Sequence, residues 1–361
     1  MTQVSINNPA GISGLQRNYY SVNASLARRS STYSGTPISS TNSADRDAWL
    51  KGLALPIKMF NFWGSSIGFN QYTNVNYKYT GKPYVEGAYN SLDATCDGNG
   101  GLNDFYWTNS IVVNKHVSFG VKASYIGGSI NQNTTIDNPS SSTTLVTKQQ
   151  DYYSGFKLEY GAIFSTNLGR KMEVSPGTIF SPEVQLNAER TLNILENNVA
   201  IIADKFISNR TEYIPLSYGA GITVVHNKRT TVSADYKYEY WGDLNVVNNG
   251  WRYVNSDRFT AGIQHAWFAK AWGGQVYEKR FLQAGVISNR SYLQVKGQQI
   301  SGLAFTFGYG GSYKDKLLYT IATEFGSHGT TTNGLIKENY FQITLGLSYR
   351  DFLYTRGRRY D

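Results

Sequence analysis

The segment Val117–Tyr125, which reads VSFGVKASY, decides the fold class of this chain of 361 residues. Its odd positions carry Val, Phe, Val, Ala and Tyr, whereas its even positions carry Ser, Gly, Lys and Ser. Side chains in a β-strand point alternately to opposite faces, so this period of two predicts a strand with one apolar and one polar face. The same alternation recurs in Thr230–Tyr240 and in Phe341–Arg350.

Segments of this kind recur along the chain as about fourteen predicted strands. They cover roughly residues 17–29, 47–57, 63–79, 103–113, 117–131, 148–166, 171–191, 214–225, 230–241, 256–268, 275–291, 301–310, 316–326 and 338–352. Short polar links such as Asn114–His116 and Asn227–Arg229 join strands at one end. Longer stretches rich in Ser, Thr, Asn and Gly join the opposite ends, at residues 30–45, 80–101, 131–147, 193–213 and 242–255. Short connections at one end of the strands and long connections at the other are typical of outer-membrane barrels. We therefore predict an all-β, transmembrane antiparallel β-barrel of about fourteen strands.

The composition narrows the class of protein further. Only 16% of the residues are charged, against about 25% in an average soluble domain, and 14% are aromatic. The sequence has no apolar run of the roughly 18 residues that a membrane helix needs. The single cysteine, Cys96 in a predicted loop, excludes an intramolecular disulfide and a cysteine-rich metal site.

The formal net charge of +9 raises the question of an anionic partner. The Lys and Arg residues form no run except a short tail at Arg356, Arg358 and Arg359. Nucleic acid is therefore not expected as a partner. Basic residues at turns and strand ends instead favour solvated rims that meet anionic lipid head groups.

Periodicity alone does not say which face of the strands points inward. A barrel of about fourteen strands encloses a lumen too wide to fill with Val and Phe, so we predict a polar interior and a lipid-facing apolar exterior. Aromatic residues near strand ends then form interfacial girdles: Tyr240, Trp241, Trp49, Trp63, Tyr349 and Tyr354. The polar face places these charged residues in the lumen: Glu159, Glu183, Glu189, Asp235, Glu239, Lys122, Lys157, Lys237 and Arg258.

The sequence offers no constellation for catalysis. Its four histidines, His116, His226, His265 and His328, form no metal-binding spacing such as HExxH. Neither a GxSxG nucleophile elbow nor a phosphate-binding loop is recognisable. The lumen carboxylates are expected to form ion pairs or to line a path, so we expect no enzyme, catalytic residue, metal or cofactor.

Several segments carry a family resemblance that extends over nearly the whole chain. Asn8-Pro9-Ala10-Gly11 resembles the NPA motif that follows the N-terminal plug in FadL-type transporters. Four further segments resemble segments of FadL-like barrels of Bacteroidota: GLNDFY at 101–106, VSFGVKASYIGG at 117–128, SDRFTAGIQH at 256–265 and NGLIKENYF at 333–341. The resemblance to this FadL/TodX type implies a 14-stranded barrel of the bacterial outer membrane, with a small hatch, that passes long-chain fatty acids or other hydrophobic compounds.

The resemblance also implies a division of the chain. Residues 1–16 are expected to be the remnant of a hatch with the motif Asn8, Pro9 and Ala10, and residues 17–361 a single transmembrane barrel. Family members carry a plug before this motif, whereas only seven residues precede Asn8 here. The opening MTQVSINNPAG shows no signal peptide either, so a truncated hatch and a processed or truncated chain are expected.

Three functions stay open at this point. The first is passive uptake of hydrophobic small molecules, with outer-membrane lipid around the barrel and ligand-binding residues unknown; a kinked wall strand would favour it. The second is an accessory or structural barrel subunit of an outer-membrane assembly or type IX secretion complex, with other outer-membrane subunits as partners. An exposed apolar surface would favour this second function. The third is a soluble all-β binding protein.

Overall fold

The computed structural model describes residues 8–15, 17–35, 44–58, 60–81, 92–138, 142–270, 276–313 and 316–352. The strands in these ranges are β1 (Tyr19–Gly35), β2 (Ala44–Lys58), β3 (Trp63–Gln71), β4 (Val75–Gly81), β5 (Asp93–Gly100), β6 (Asn103–Val112), β7 (Val117–Asn138), β8 (Thr143–Phe164), β9 (Thr166–Leu168), β10 (Met172–Ser181), β11 (Val184–Glu196), β12 (Val199–Ile214), β13 (Ser217–His226), β14 (Thr230–Glu239), β15 (Val247–Asn248), β16 (Trp251–Tyr253), β17 (Ser256–Lys270), β18 (Val276–Val295), β19 (Gln298–Tyr313), β20 (Leu317–Gly329) and β21 (Ile336–Phe352). Three short 3-10 helices accompany them: η1 (Pro9–Gly14), η2 (Trp241–Leu244) and η3 (Thr332–Gly334). None of the helices in these ranges is long and apolar enough to cross a bilayer.

The strands form one closed antiparallel barrel. Strand β1 pairs with β2 on one side and with the last strand, β21, on the other, so that Tyr19 lies opposite Phe352. We call each crossing of the wall a stave, and five staves consist of two segments: β3 with β4, β5 with β6, β8 with β9, β10 with β11, and β12 with β13. Because β15 and β16 belong to a loop, the barrel has fourteen staves. The predicted fold class is confirmed.

The outer surface carries a belt of large apolar side chains. On β8, for example, Phe156, Leu158 and Tyr160 are exposed, and 78% of Phe156 is accessible. The intervening residues Lys157 and Glu159 point into the barrel. Exposed apolar surface of this extent around a barrel is suited to lipid, as the alternation predicted.

Aromatic side chains gather where the belt ends. The rings of Tyr218, Tyr238 and Tyr240 form one cluster with centroids 5.0 to 5.9 Å apart, in agreement with a girdle at this level. Tyr349 is exposed near the opposite end of the wall. The predicted girdle residue Tyr354 and the basic tail at 356–359 lie outside the described residues.

Three predicted loops are wrong, because strands continue through them. Residues 193–213 contain most of β12, residues 131–147 contain the ends of β7 and β8, and residues 80–101 contain β5 with Cys96. Asn197 and Asn198 close the β11–β12 hairpin with φ of 48° and 67°, the left-handed values of a type I′ turn. Beyond the apolar belt both faces of a strand meet water, so alternation of apolar and polar residues is not required there.

Two neighbouring staves are interrupted at proline, at Pro182–Glu183 and at Pro215. Proline has no N–H to donate to a ladder. The interruption shifts the alternation by one residue, because Ser181 and then Val184 are buried on the inner face. Glu189, predicted in the lumen, therefore points outward and is exposed, and Glu183 lies between two strands instead of on one.

Candidate functional site

The residues of the predicted hatch motif lie inside the barrel. Asn8 caps η1, because its Oδ1 accepts a hydrogen bond from the N–H of Ala10 at 3.0 Å. Its Nδ2 donates to the carbonyl oxygens of Ala162 and Thr178 at 3.3 and 3.2 Å. Pro9 occupies the first helical position, where its fixed φ fits and its missing N–H costs no bond. One asparagine therefore ties the start of the chain to β8 and β10.

Glycines in the wall make room for this helix. A Cβ at Gly120 would overlap the backbone of Pro9 and Ala10, and one at Gly161 would overlap Asn8. Similar close approaches occur at Gly64 and Gly177. The helix therefore rests directly on the wall, and Ala10 is fully buried. The last turn of η1 is also bound to the wall, because the Lys58 ammonium at the end of β2 donates a hydrogen bond to the carbonyl oxygen of Ser13.

A cavity of about 300 Å³ lies between η1 and the wall formed by β1, β2, β3, β6, β20 and β21. Its apolar lining includes Pro9, Ile12, Ala54, Tyr106 and Leu318. The polar lining residues are Ser, Thr and Asn, and no lining residue is charged. The volume is at the lower end of the roughly 300–1,000 Å³ typical of ligand pockets. The cavity suits a compact, neutral and mainly apolar molecule.

A cluster of ionised side chains lies near this cavity on the inner face of the neighbouring strands β6, β7 and β8. Lys122 Nζ lies 2.6 Å from Asp104 Oδ2 and 3.2 Å from Glu159 Oε2, and Lys157 Nζ lies 3.1 Å from Glu159 Oε1. We call these four residues the lumen ion cluster. Their formal charges sum to zero, and their side chains are between 8 and 19% exposed. The predicted interior position of Lys122, Lys157 and Glu159 is confirmed, and they form the expected ion pairs.

A second polar group lies towards the mouth of the lumen. Glu239 accepts hydrogen bonds from Lys237 at 2.6 Å, Trp241 Nε1 at 2.8 Å and Ser256 at 3.0 Å. Arg258 pairs in register with Lys237, and Asp235 occupies the next inward position of β14, as predicted.

Trp241 was predicted in an outer girdle, and this position is wrong. Its ring stacks on Tyr292 with centroids 4.3 Å apart and packs against Tyr253. The indole N–H of Trp241, in η2, donates a hydrogen bond to the inward-facing Glu239, so the ring lies towards the lumen. An aromatic cluster therefore covers one side of the lumen mouth.

The lumen is less polar than the sequence predicted. An apolar cluster of Leu102, Ile126, Val184, Leu186 and Ile214 is buried, with Tyr153 packed against it. The interruption after Ser181 brings Val184 and Leu186 inward in place of the residues expected from strict alternation. A proline within an alternating stretch is the sequence signal that could have indicated this shift.

No metal site accompanies these groups: within the described ranges, no three His, Cys, Asp or Glu residues are arranged to hold an ion. His116 contacts the carbonyl oxygen of Ser165, and His265 contacts the hydroxyl of Thr230. Both histidines therefore have structural partners in turns and strand ends.

A closed barrel of fourteen staves with the short helix η1 docked in its lumen has the fold of FadL-like barrels. The BamG family model matches residues 1–361, and the chain belongs to the BamG family. No curated protein sequence matches it. The expected origin in Bacteroidota stays a prediction.

Solved structures with a similar fold include channels for hydrophobic compounds. A FadL homologue of Pseudomonas aeruginosa is 12% identical, with a TM-score of 0.61 over 97% of this chain and 93% of that chain. The toluene transporter TodX of Pseudomonas putida is 15% identical, with a TM-score of 0.58 over 97% and 94%. The monoaromatic hydrocarbon channel CymD is 14% identical, with a TM-score of 0.53 over 96% and 92%. At these identities the likeness concerns the fold.

Proposed function

We propose that this protein is a passive channel of the bacterial outer membrane for small, neutral hydrophobic molecules. The observation that carries the proposal is the uncharged cavity of about 300 Å³ beside η1, inside a barrel whose outer belt is apolar. Transfer of an apolar molecule from water into such a cavity is favourable by roughly 0.8 kcal/mol per buried CH₂. The similar fold of transporters for toluene and other monoaromatic hydrocarbons supports the same function.

The lining favours a neutral ligand over the long-chain fatty acids that the family resemblance implies. A buried carboxylate requires a cation or several donors, and the cavity lining contains no Lys or Arg. Lys58 lies nearby but is not part of the lining, and one donor of its ammonium bonds the carbonyl oxygen of Ser13. The bulged and interrupted strands around Gly101 and Pro182 supply the kinked wall through which such a ligand would leave.

In this proposal Asn8, Pro9 and Ala10 form the hatch that closes the lumen on the side of the chain termini. The lumen ion cluster lines the wall at β6, β7 and β8 beyond this hatch. Movement of the hatch is then the step that admits a ligand.

We expect Ala54→Phe to abolish uptake through the channel, because the added ring fills much of the cavity that Ala54 lines. The measurement is entry of radiolabelled toluene into liposomes that contain the purified full-length chain. Ala234→Phe is the matched control, because Ala234 lies between the outward-facing residues Val232 and Tyr236. Unchanged uptake by Ala54→Phe, with a folded barrel, would exclude this cavity from the route.

A second candidate function is an accessory subunit of an outer-membrane assembly. The hairpin of β11 and β12 favours it, because Val199, Ile201 and Phe206 are 58 to 69% exposed on a strand that pairs only with β11 in the described part of the chain. Edge strands with exposed apolar side chains tend to pair with other chains. The match to the BamG family is compatible with this function.

We expect a photo-crosslinker placed at Ile201 to capture a discrete outer-membrane protein in living cells if the second candidate is correct. A crosslinker at Leu168, which is 63% exposed near the opposite rim, is the control for nonspecific capture. If no protein is crosslinked at either position, the exposed hairpin no longer supports a subunit role. The readout is the size and identity of the crosslinked band.

A further inference from the structure

The excess positive charge of the chain is concentrated at one rim of the barrel. This rim carries the first residue of β1 and the end of β21, and its links are short. Nine exposed basic side chains lie on or next to these links: Arg17, Lys115, Arg170, Lys171, Lys228, Arg229, Lys270, Lys279 and Arg280. None of the nine forms an ion pair with another residue in the described ranges.

Carboxylates do not balance this charge. The described acidic residues at the same rim are Glu173, Glu278 and Asp351. Glu278 is buried and accepts a hydrogen bond from Gln264, and Asp351 is paired with Lys316. The rim therefore carries a strong net positive charge.

The opposite rim differs. There, four arginines are paired with carboxylates: Arg29 with Glu338, Arg190 with Asp151, Arg210 with Glu212, and Arg290 with Asp257. That end also carries exposed basic residues without an ion pair in the described ranges, but exposed acidic residues accompany them: Asp137, Glu196, Asp204 and Asp243. The two rims of one barrel thus have different electrostatic character. A uniformly basic protein would not show this asymmetry, so the unpaired charge at the terminal rim calls for its own explanation.

The basic side chains are distributed around the perimeter and lie directly beside the apolar belt. Lys115 lies two residues from the exposed Val113, and Arg170 lies two residues from the exposed Leu168. The Arg280 guanidinium lies 5.1 Å from the ring centroid of Trp267. Long basic side chains at the end of an apolar belt extend to the level of lipid head groups.

We propose that this rim binds a ring of anionic phospholipid head groups. A lipid annulus surrounds the whole barrel, so it can satisfy charges on links that lie far apart. A single acidic polypeptide, in contrast, could contact these basic side chains only if they lay on one side of the barrel. Short turns belong to the periplasmic rim of such barrels, which places the ring in the phospholipid leaflet. The inference does not depend on the proposed transport.

The test uses the purified full-length chain in micelles that contain equimolar phosphatidylglycerol and phosphatidylcholine. Native mass spectrometry counts the lipids that the protein retains. The rim variant carries Lys115→Gln, Lys171→Gln, Lys228→Gln, Arg229→Gln and Lys279→Gln. The matched control removes five basic residues from the other end of the barrel: Lys78→Gln, Lys148→Gln, Lys205→Gln, Arg252→Gln and Lys296→Gln. Heat-dependent gel mobility confirms that each barrel is folded.

We expect the wild type and the control to retain phosphatidylglycerol over phosphatidylcholine by about fivefold, the factor that corresponds to about 1 kcal/mol for one basic side chain at an anionic surface. The rim variant should retain fewer phosphatidylglycerol molecules and show a smaller preference, because four of the nine basic side chains remain. An unchanged preference in the rim variant, or the same loss in the control, would overturn the proposal.

Two further arms distinguish other sources of negative charge. Inorganic phosphate should displace bound phosphatidylglycerol no better than chloride at the same ionic strength, and preferential displacement would assign the rim to free phosphate. If the rim variant keeps its lipid preference but loses an acidic protein that copurifies with the wild type, the rim is a protein-binding surface and the proposal is wrong.

Discussion

Replacing Gly120 by leucine should release η1 from the wall and open a conducting path through the barrel. A Cβ at this position overlaps backbone atoms of Pro9 and Ala10, which cannot rotate aside as a flexible side chain can. The wall itself cannot easily yield, because β7 is held by ladders to both β6 and β8. We expect a clear rise in single-channel conductance in planar bilayers, and new protease cleavage near the N-terminus.

Gly262→Leu is the matched control for this prediction. Gly262 lies on β17, and an added Cβ would meet its nearest neighbour, the carbonyl oxygen of Ala284, at an ordinary 3.4 Å. The control should therefore keep the wild-type conductance and protease pattern. If Gly120→Leu behaves like the control, the contact between β7 and the motif does not hold the helix in place.

Replacing Lys122 by methionine should have the largest effect on stability. The ammonium serves two carboxylates, Asp104 and Glu159, at 2.6 and 3.2 Å, and its side chain is only 12% exposed. Removal of one partner from a buried ion pair typically costs about 3–5 kcal/mol, because the other charge stays buried without compensation. We expect a loss of about 3 kcal/mol in the free energy of unfolding, measured by urea titration of tryptophan fluorescence in lipid vesicles.

Two variants make the result specific. Lys237→Met removes a pair with Glu239 in which the lysine is 42% exposed, so the expected loss is below about 1 kcal/mol. Adding Asp104→Asn to Lys122→Met should restore part of the stability, because Glu159 keeps its pair with Lys157 and Asp104 is the carboxylate left without a cation. Equal losses for Lys122→Met and Lys237→Met would contradict a special role for the lumen ion cluster.

The sequence predicted those parts of the fold that lipid contact requires. A strand inside the apolar belt must alternate, and the stretch from Val117 to Tyr125 shows this alternation in its residue types alone. Strand β12 was predicted as a loop, because its residue types do not alternate; most of its side chains are exposed, and neighbouring residues on both faces are exposed alike. The shift of face after Pro182 is also invisible to a rule that assumes unbroken alternation.

The candidate site could be predicted only in part. The interior positions of Lys122, Lys157 and Glu159 follow from alternation within single strands. The cavity does not, because it is formed by η1 and by β1, β2, β20 and β21, which are far apart in sequence. Likewise, the docking of Asn8 depends on glycines in β7 and β8, and only the fold brings these to one place.

The contacts of Asn8 also constrain the order in which the molecule folds. Its side chain binds carbonyl oxygens 154 and 170 residues further along the chain. The two carbonyl oxygens that bind Asn8 therefore come together only when β8 and β10 have paired. Contacts at such long sequence separation form late, since loop closure costs entropy before they can form. Helix η1 therefore stays undocked until these two strands have paired, and the lumen can be plugged only after this part of the wall has formed.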